Sequence, residues 1–226
     1  MLDLFKKKKS SRIIYPVFNK GFHGDDFLID VTNFVLKNCK NFIETGSAEA
    51  TTLSFVAKAH STINCYSCEA DAKVYVHAKK QVEQFSNVVL KNTYSPDFII
   101  DLVRENPQLL QEKTCFWLDA HGYGFQWPLR EEVNFILSNF TDSCIFIDDF
   151  KVPGEQQFGY DVYGKQECSL EYISDILAKF STKIYFPKYT KVTSEYHPLR
   201  GWVSIEGGNA DEMKSYPSEN VFQFYS

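Results

Sequence analysis

The sequence predicts an α/β fold in which a mostly parallel β-sheet is covered by helices on both faces. Apolar runs of strand length alternate with amphipathic segments of about a dozen residues along most of the chain. Parallel strands need long crossover connections, and helices of this length supply them. Internal repeats and low-complexity tracts do not interrupt the alternation, so one sheet is expected.

The first half of the chain predicts a leading helix and three strands. Residues 25–37 place Phe27, Val31 and Val35 at helical spacing behind a capping position at Gly24-Asp25. The predicted strands are 41–44, 63–69 and 87–91, and the helices between them are 51–59, which follows a Gly and Ser turn, and 72–85.

The second half continues the alternation and then departs from it. It predicts, in order, helix 98–110, strand 114–119, helix 129–140 opened by Pro128, strand 144–148, helix 170–180, and strands 183–186 and 201–206. The last two strands leave too little chain between them for an ordinary crossover helix. We therefore expect an antiparallel pair at one edge of a seven-stranded sheet, with 187–200 as a lid-like excursion.

Composition and charge exclude several classes of protein. Lys and Arg number 24 against 29 for Asp and Glu, and this net charge of −5 argues against a broadly basic nucleic-acid surface. With 44% hydrophobic and 16% aromatic residues, the chain is globular rather than disordered. No run reaches the roughly 18 apolar residues of a membrane-spanning helix. The sequence allows a homo-oligomer and does not identify its state.

The N-terminal residues and the cysteines predict the domain organisation and the cellular location. We expect residues 1–22, which contain four consecutive lysines, to form a basic and partly flexible arm, and 23–226 to form a single α/β domain. The start lacks the apolar core of an export signal. Six scattered cysteines in such a chain predict reduced, buried thiols and a cytoplasmic protein.

Acidic side chains end four of the predicted strands. Glu44 ends the first, Glu69 the second, Asp119 the fourth, and Asp148 and Asp149 the fifth. In open parallel sheets, ligands bind outside the carboxyl ends of the strands. Carboxylates gathered at one rim repel each other, so they predict a cation or a hydroxyl-bearing ligand there.

The turn after the first strand indicates which class of nucleotide-like ligand the site can bind. Residues 44–50, Glu-Thr-Gly-Ser-Ala-Glu-Ala, keep one of the three glycines that a dinucleotide site uses, and their carboxylates would repel a pyrophosphate. The P-loop Lys-Ser/Thr is also absent. S-adenosylmethionine carries no phosphate and has a cationic amino group and a sulfonium, so it suits this turn. Glu69 would then accept hydrogen bonds from its ribose hydroxyls.

Five sequence runs resemble those of a known enzyme family. They are FIETGSAEATTL, CYSCEAD, VVLKNTYS, FWLDAHG followed by PLREEVNFI, and IFIDDF. Together they are similar to the class I S-adenosylmethionine-dependent methyltransferases, and most of all to the macrocin-type and other sugar O-methyltransferases. The resemblance covers about residues 40–150, continues more loosely through GWVSIEG, and implies a Rossmann-like methyltransferase sandwich. Ala50 stands where the family often has a second glycine.

The resemblance also implies a role for each site residue. The residues implied to bind S-adenosylmethionine are Glu44, Thr45, Gly46 and Ser47 near the methionine, Glu69 at the ribose, Ser95 near the adenine, and Asp119. Asp119, Asp148 and Asp149 match the carboxylates that hold Mg²⁺ in metal-dependent members. Hard oxygen ligands suit Mg²⁺ on chemical grounds as well.

The predicted reaction is Mg²⁺-assisted O-methylation of a small hydroxylated acceptor. The resemblance alone favours a saccharide or glycoside. A cation helps a hydroxyl lose its proton, and the base is either Asp119 or His121. Residues 123–127 are the best candidate for a loop that binds the acceptor. His197, in the excursion 187–200, is a weaker candidate for contact with the acceptor.

Three alternatives stay open at this point. The first is a metal-independent methyltransferase in which Asp148 and Asp149 only shape the acceptor pocket. The second is a noncatalytic binding or scaffold protein that retains the fold. The third is a nicotinamide-dependent oxidoreductase, against which the missing glycines count.

Overall fold

Ten strands and six α-helices are formed by residues 20–120, 127–190, 199–217 and 219–224, which are the residues that the computed structural model describes. The strands are β1 (Asn41–Thr45), β2 (Asn64–Glu69), β3 (Val88–Asn92), β4 (Thr114–Leu118), β5 (Asp142–Ile147), β6 (Val162–Tyr163), β7 (Gln166–Glu167), β8 (Thr182–Pro187), β9 (Val203–Gly208) and β10 (Val221–Phe224). The helices are α1 (Asp26–Leu36), α2 (Thr51–Ala59), α3 (Ala72–Val82), α4 (Ser95–Glu105), α5 (Leu129–Asn139) and α6 (Leu170–Leu177).

Eight of the strands form one sheet, in the order β10-β8-β9-β5-β4-β1-β2-β3. Strands β1 to β5 are parallel, whereas β9 pairs antiparallel with both β5 and β8. The register pairs Thr45 with Leu118 and Leu118 with Ile147. The carboxyl ends of β1, β4 and β5 are therefore level, and the residues that follow them leave the sheet side by side.

The direction of each crossover places the helices on two faces. The connections through α2 and α3 step one way along the sheet, from β1 to β2 to β3. Those through α4, α5 and α6 step the other way. Because such crossovers are right-handed, the two groups cover opposite faces. The direction reverses between β1 and β4, and this is where open α/β sheets form their ligand crevice.

The sheet differs from the seven-stranded prediction at its C-terminal side. The predicted antiparallel pair is present as β8 and β9, but β9 lies inside the sheet, between β5 and β8. The eighth strand, β10, pairs antiparallel with β8 and forms the edge. Its apolar and aromatic Val-Phe-Gln-Phe sequence favours a strand but is only four residues long, and the hairpin of β6 and β7 is shorter still.

Proline chemistry explains the largest difference among the helices. The predicted helix 98–110 is α4, which begins three residues earlier, at Ser95, and ends at Glu105. Pro107 restricts the residue before it and lacks an amide donor, so the chain continues from Pro107 to Gln111 as a 3-10 turn.

Aromatic side chains dominate the core beneath the site. Phe22 is 1% exposed and packs edge-on against Trp117, with their ring centroids 5.0 Å apart. The described part of the domain therefore includes Phe22, while the division at residue 22 stays a prediction because residues 1–19 lie outside the described residues.

All six cysteines are buried and unpaired, as expected, and burial raises the pKa of the Cys65 thiol to about 12. None of the described helices is long and apolar enough to cross a membrane.

Candidate cofactor and metal site

A tight turn carries the chain out of β1 at the crevice. The Gly46 amide donates to the Cys68 carbonyl at 3.1 Å, and the Asp119 amide donates to the Thr45 carbonyl at 3.0 Å. Gly46 has a φ of +76°, and a Cβ on it would lie 2.5 Å from the Asp119 carbonyl oxygen. Only glycine fits here, because both the backbone angle and the close approach of the loop after β4 exclude a side chain.

The rest of this turn has glycine-like backbone angles at alanine residues. Ala48 has a φ of +44° and Ala50 a φ of +57°, so positions 46, 48 and 50 are all left-handed. Each alanine in this region costs about 1 kcal/mol relative to an ordinary backbone angle. The turn thus has the shape of a glycine-rich ligand loop, although two of its three left-handed residues carry a methyl group.

Glu44 is a buried acid at the end of β1. It is 2% exposed, and its Oε2 accepts a hydrogen bond from Ser67 Oγ at 2.7 Å. Burial raises its pKa well above the ordinary value, and the charges of Asp119 and Glu69 add to this effect. A cationic group bound here would stabilise the ionised carboxylate, because it would offset the cost of burial.

Glu69 joins two loops at the end of β2. Its Oε2 accepts from the Ala48 amide at 2.9 Å and its Oε1 accepts from the Asp71 amide at 2.8 Å. Each carboxylate oxygen has a second lone pair for another donor. The arrangement fixes the carboxylate in place and leaves it able to accept ribose hydroxyls.

Three hydroxyls of the predicted cofactor residues are buried without a hydrogen-bond partner among the described residues. They belong to Thr45 on β1, Ser47 in the turn and Ser95 at the start of α4. An unpaired buried hydroxyl costs free energy, and a polar ligand would relieve this cost. The predicted cofactor residues therefore fit a polar ligand that has hydroxyl and amino groups.

A second cluster lies at the ends of β4 and β5. His23, Asp119 and Asp148 each place one ligand atom within 4.8 Å of the other two. His23 Nε2 lies 2.5 Å from Asp148 Oδ2, and Trp117 Nε1 donates to Asp119 Oδ2 at 3.4 Å. The negative charge of Asp148 raises the pKa of His23 to about 10, although burial opposes this shift. Without a metal, the proton on the imidazole offsets the charge of Asp148, and a metal ion bound by His23 would have to displace that proton.

Asp149 makes a different contact from its neighbour. It has a φ of +47°, and its Oδ1 accepts from Arg200 Nη1 at 3.0 Å. Next to Arg200, a Cβ on Gly201 would lie 2.0 Å from the Phe150 carbonyl oxygen, so the entry to β9 packs directly on this segment. The role of Asp149 as a metal ligand stays a prediction, and the structure adds His23, which we did not predict.

The described residues leave part of the predicted site outside view. His121, the candidate base, and most of the acceptor loop fall in 121–126, and His197 falls in 191–198; both segments lie outside the described residues. Sequence reasoning missed His23 because it stands before the first strand, far along the chain from its partner Asp148. It missed Ser67, the partner of Glu44, because a serine inside a strand gives no signal of function.

Comparisons with known proteins establish the fold. No protein-family model and no curated protein matches the sequence. Among solved structures, the chain is similar to the O-methyltransferase TomG from Streptomyces achromogenes, with a TM-score of 0.55 and 13% identity over 78% of this chain and 77% of that one. It is similar to the amino pentose methyltransferase CalS10 from Micromonospora echinaspora, with a TM-score of 0.55 and 10% identity over 81% of this chain and 91% of that one. It is also similar to spermidine synthase from Thermotoga maritima, with a TM-score of 0.51 and 17% identity over 86% of this chain and 64% of that one.

The likeness to the two methyltransferases spans 78% and 81% of this chain, and thus most of the domain described above. At such low sequence identities the likeness supports the fold alone. The chain has the Rossmann-like fold of class I S-adenosylmethionine-dependent methyltransferases.

Proposed function

We propose that this protein is an S-adenosylmethionine-dependent methyltransferase that O-methylates a hydroxyl of a small molecule with the help of a divalent cation. The observation that carries the proposal is the acidic crevice where the sheet reverses direction, with Glu44, Glu69 and Asp119 around the left-handed turn at Gly46. Such a crevice repels phosphates and attracts a cationic ligand.

The cofactor would lie across the ends of β1 and β2. Buried Glu44 suits the ammonium group, and Glu69 accepts the ribose hydroxyls while the Ala48 and Asp71 amides hold it in place. Ser47 and Ser95 supply unpaired hydroxyls for the polar atoms of the ligand. S-adenosylmethionine supplies the methyl group on its sulfonium.

The acceptor would approach from the ends of β4 and β5. Its oxygen forms a bond to the methyl carbon while the carbon–sulfur bond breaks, which releases S-adenosylhomocysteine, and the hydroxyl proton passes to a base. Asp119 is the described candidate for that base, and His121 is the other. A bound divalent cation, Mg²⁺ in the sequence prediction, would lower the pKa of the acceptor hydroxyl.

A sugar or glycoside is the acceptor class we favour. The resemblance to sugar O-methyltransferases supports this choice, and so does CalS10, an amino pentose methyltransferase with the same architecture. The chain is also similar to a spermidine synthase, and one fold can serve several activities, so the cofactor must be tested before the acceptor.

The deciding experiment is a calorimetric titration of the metal-stripped full chain with S-adenosylhomocysteine, repeated with Mg²⁺ and with a nicotinamide dinucleotide as the competing ligand class. We expect S-adenosylhomocysteine to bind and the nicotinamide dinucleotide not to bind. Glu69→Ala should weaken this binding by about 1.5–3 kcal/mol through the lost charge-assisted hydrogen bonds. Glu83→Ala, at the exposed end of α3, is the matched control.

Binding of the dinucleotide instead, or of neither ligand, would overturn the proposal. If S-adenosylhomocysteine binds, a screen of hydroxylated acceptors with and without a chelator tests the second half of the proposal. Turnover that chelation leaves unchanged would favour the metal-independent methyltransferase.

A further inference from the structure

The contacts at the ends of β4 and β5 differ from those of an all-oxygen magnesium site. We propose that His23 is a ligand of the cation site together with Asp119 and Asp148, and that the site therefore takes a first-row transition-metal dication, such as Mn²⁺, in preference to Mg²⁺. This inference deepens the proposed function and rests on it for the role of the cation.

The three ligand atoms come from separate elements and converge on one point. His23 lies in the turn before α1, Asp119 follows β4 and Asp148 follows β5, yet their donor atoms lie within 4.8 Å of one another. Ligands bound to one ion at ~2.1 Å have donor atoms roughly 3–4 Å apart, so small side-chain rotations bring these three to a common ion. The His23 side chain is 30% exposed, which leaves the cluster open on one side.

The predicted third ligand has another partner. Asp149 is in an ion pair with Arg200, whose guanidinium lies 3.0 Å from the carboxylate. Arg200 is held close by because the adjacent Gly201 packs against the Phe150 carbonyl. The group of three contains His23 and not Asp149, which changes the ligand set from three carboxylates to two carboxylates and an imidazole nitrogen.

Hydrophobic packing anchors His23 on one side. Phe22 is 1% exposed and contacts Phe42, Phe55 and Trp117 edge-on, with ring centroids 6.5, 6.1 and 5.0 Å away. Its amide donates to Thr52 Oγ1 at 3.0 Å. The residue before the imidazole is therefore part of the core, which fixes where His23 emerges.

A polar network anchors His23 on the other side. Asp25 caps α1, since its Oδ1 accepts from the amides of Phe27 and Leu28, and its Oδ2 accepts from the Tyr189 hydroxyl. Trp202 Nε1 donates to the same hydroxyl at 2.9 Å. Two elements from the far end of the chain thus hold the start of α1, and the imidazole lies between these two anchors.

The ligand set determines which metal binds best. Imidazole nitrogen is a borderline ligand that Mn²⁺, Fe²⁺, Co²⁺ and Zn²⁺ accept readily, whereas Mg²⁺ prefers oxygen ligands and retains its waters. Two carboxylates with one imidazole therefore favour a first-row dication over Mg²⁺. Mn²⁺ binds most weakly in that series, so it is the most stringent probe of the preference. The preference for Mn²⁺ over Mg²⁺ is the property that distinguishes this site from the all-aspartate one.

The test is a titration of the metal-stripped full chain with Mn²⁺, monitored by electron paramagnetic resonance. The titration is repeated with Mg²⁺ as the competing ion. We expect one Mn²⁺ per chain, nitrogen hyperfine coupling in the pulsed spectrum, and displacement only by a large excess of Mg²⁺. His23→Asn should weaken Mn²⁺ binding by at least the roughly 10- to 100-fold that loss of an outer-shell partner costs, and it should abolish the nitrogen coupling. Asn tolerates the left-handed φ of +55° at this position, so the turn is retained.

Two further variants sharpen the result. His77→Asn, on the exposed face of α3, is the matched control and should bind Mn²⁺ like the unaltered chain. His23→Asp makes the site all-oxygen and should lower the ratio of Mn²⁺ to Mg²⁺ affinity. Because this ratio is measured on folded protein, a general loss of stability does not imitate it.

Several outcomes would overturn the inference. They are no Mn²⁺ binding, displacement of Mn²⁺ by an equal concentration of Mg²⁺, or nitrogen coupling that persists in His23→Asn. Calorimetry with S-adenosylhomocysteine on the same samples separates the two proposals. Intact cofactor binding with any of these outcomes rejects the metal assignment alone, whereas absent cofactor binding rejects the proposed function.

Discussion

The two halves of the crevice are held together by different kinds of contact. In the cofactor half, at the ends of β1 and β2, backbone groups do most of the positioning: Glu69 accepts two amides, and Gly46 donates to a carbonyl of β2. In the metal half, at the ends of β4 and β5, side chains from distant segments meet, as His23 does with Asp148. The cofactor half should therefore respond to backbone substitutions, and the metal half to side-chain truncations elsewhere in the fold.

Truncation of Phe22 should have the largest effect and should separate the halves. Phe22→Ala leaves a cavity among three aromatic rings and should lower the free energy of unfolding by about 3–5 kcal/mol. Mn²⁺ affinity should fall as well, because the imidazole loses its core anchor, while S-adenosylhomocysteine affinity measured by calorimetry stays near its original value. Phe34→Ala, on the same N-terminal segment but packed against Tyr216, is the control. If the affinities for Mn²⁺ and S-adenosylhomocysteine fall equally relative to this control, the two halves of the crevice are not held independently.

A methyl group at Gly46 should damage the cofactor half. Gly46→Ala combines a strained φ with a Cβ only 2.5 Å from the Asp119 carbonyl, and we expect a loss of about 2–4 kcal/mol in urea unfolding together with weaker S-adenosylhomocysteine binding. Gly154→Ala has a similar φ of +78° with open space around it, so it isolates the cost of the backbone angle. If the two variants lose the same stability, the close approach of the loop after β4 contributes nothing.

Loss of one hydroxyl tests the polar anchor of the metal half. Tyr189→Phe removes the donor to Asp25 and the acceptor for Trp202, which should cost about 1–3 kcal/mol in the free energy of unfolding. Mn²⁺ binding should weaken and cofactor binding should not. Tyr163→Phe retains the ring that packs on Trp127 and is the comparison variant. Unchanged Mn²⁺ affinity in Tyr189→Phe would show that Phe22 alone positions His23.

The smallest predicted effect is a gain of stability in the cofactor turn. Ala48→Gly relieves the left-handed backbone angle and should stabilise the fold by about 0.5–1 kcal/mol. The same change at Ala57, inside α2, should destabilise it by about 1 kcal/mol or more, since helical backbone gains nothing from glycine. Thermal unfolding of the pair measures both, and a destabilised Ala48→Gly would mean that the methyl group makes contacts outweighing the strain.

The same contrast explains how much the sequence predicted. Glu44 and Glu69 lie at the ends of β1 and β2, and Gly46 follows β1 directly. The alternation of strands and helices brings these strand ends to one rim without knowledge of any tertiary contact. His23 and Arg200 depend on how segments far apart in the chain fold against each other, and no local pattern encodes that. The edge strand β10 was missed for a related reason: four residues near the chain terminus carry a weak signal until β8 is there to pair with them.

The contact between His23 and Asp148 has a thermodynamic consequence for the whole chain. These residues are 125 positions apart, so an ion shared between them acts as a removable cross-link between the segment before the sheet and its fifth strand. A ligand that binds only the folded state at about 100 times its dissociation constant adds about 2.7 kcal/mol of stability. Metal supply would then raise the melting temperature of the protein, and chelation would first loosen the described segment that carries His23 and α1.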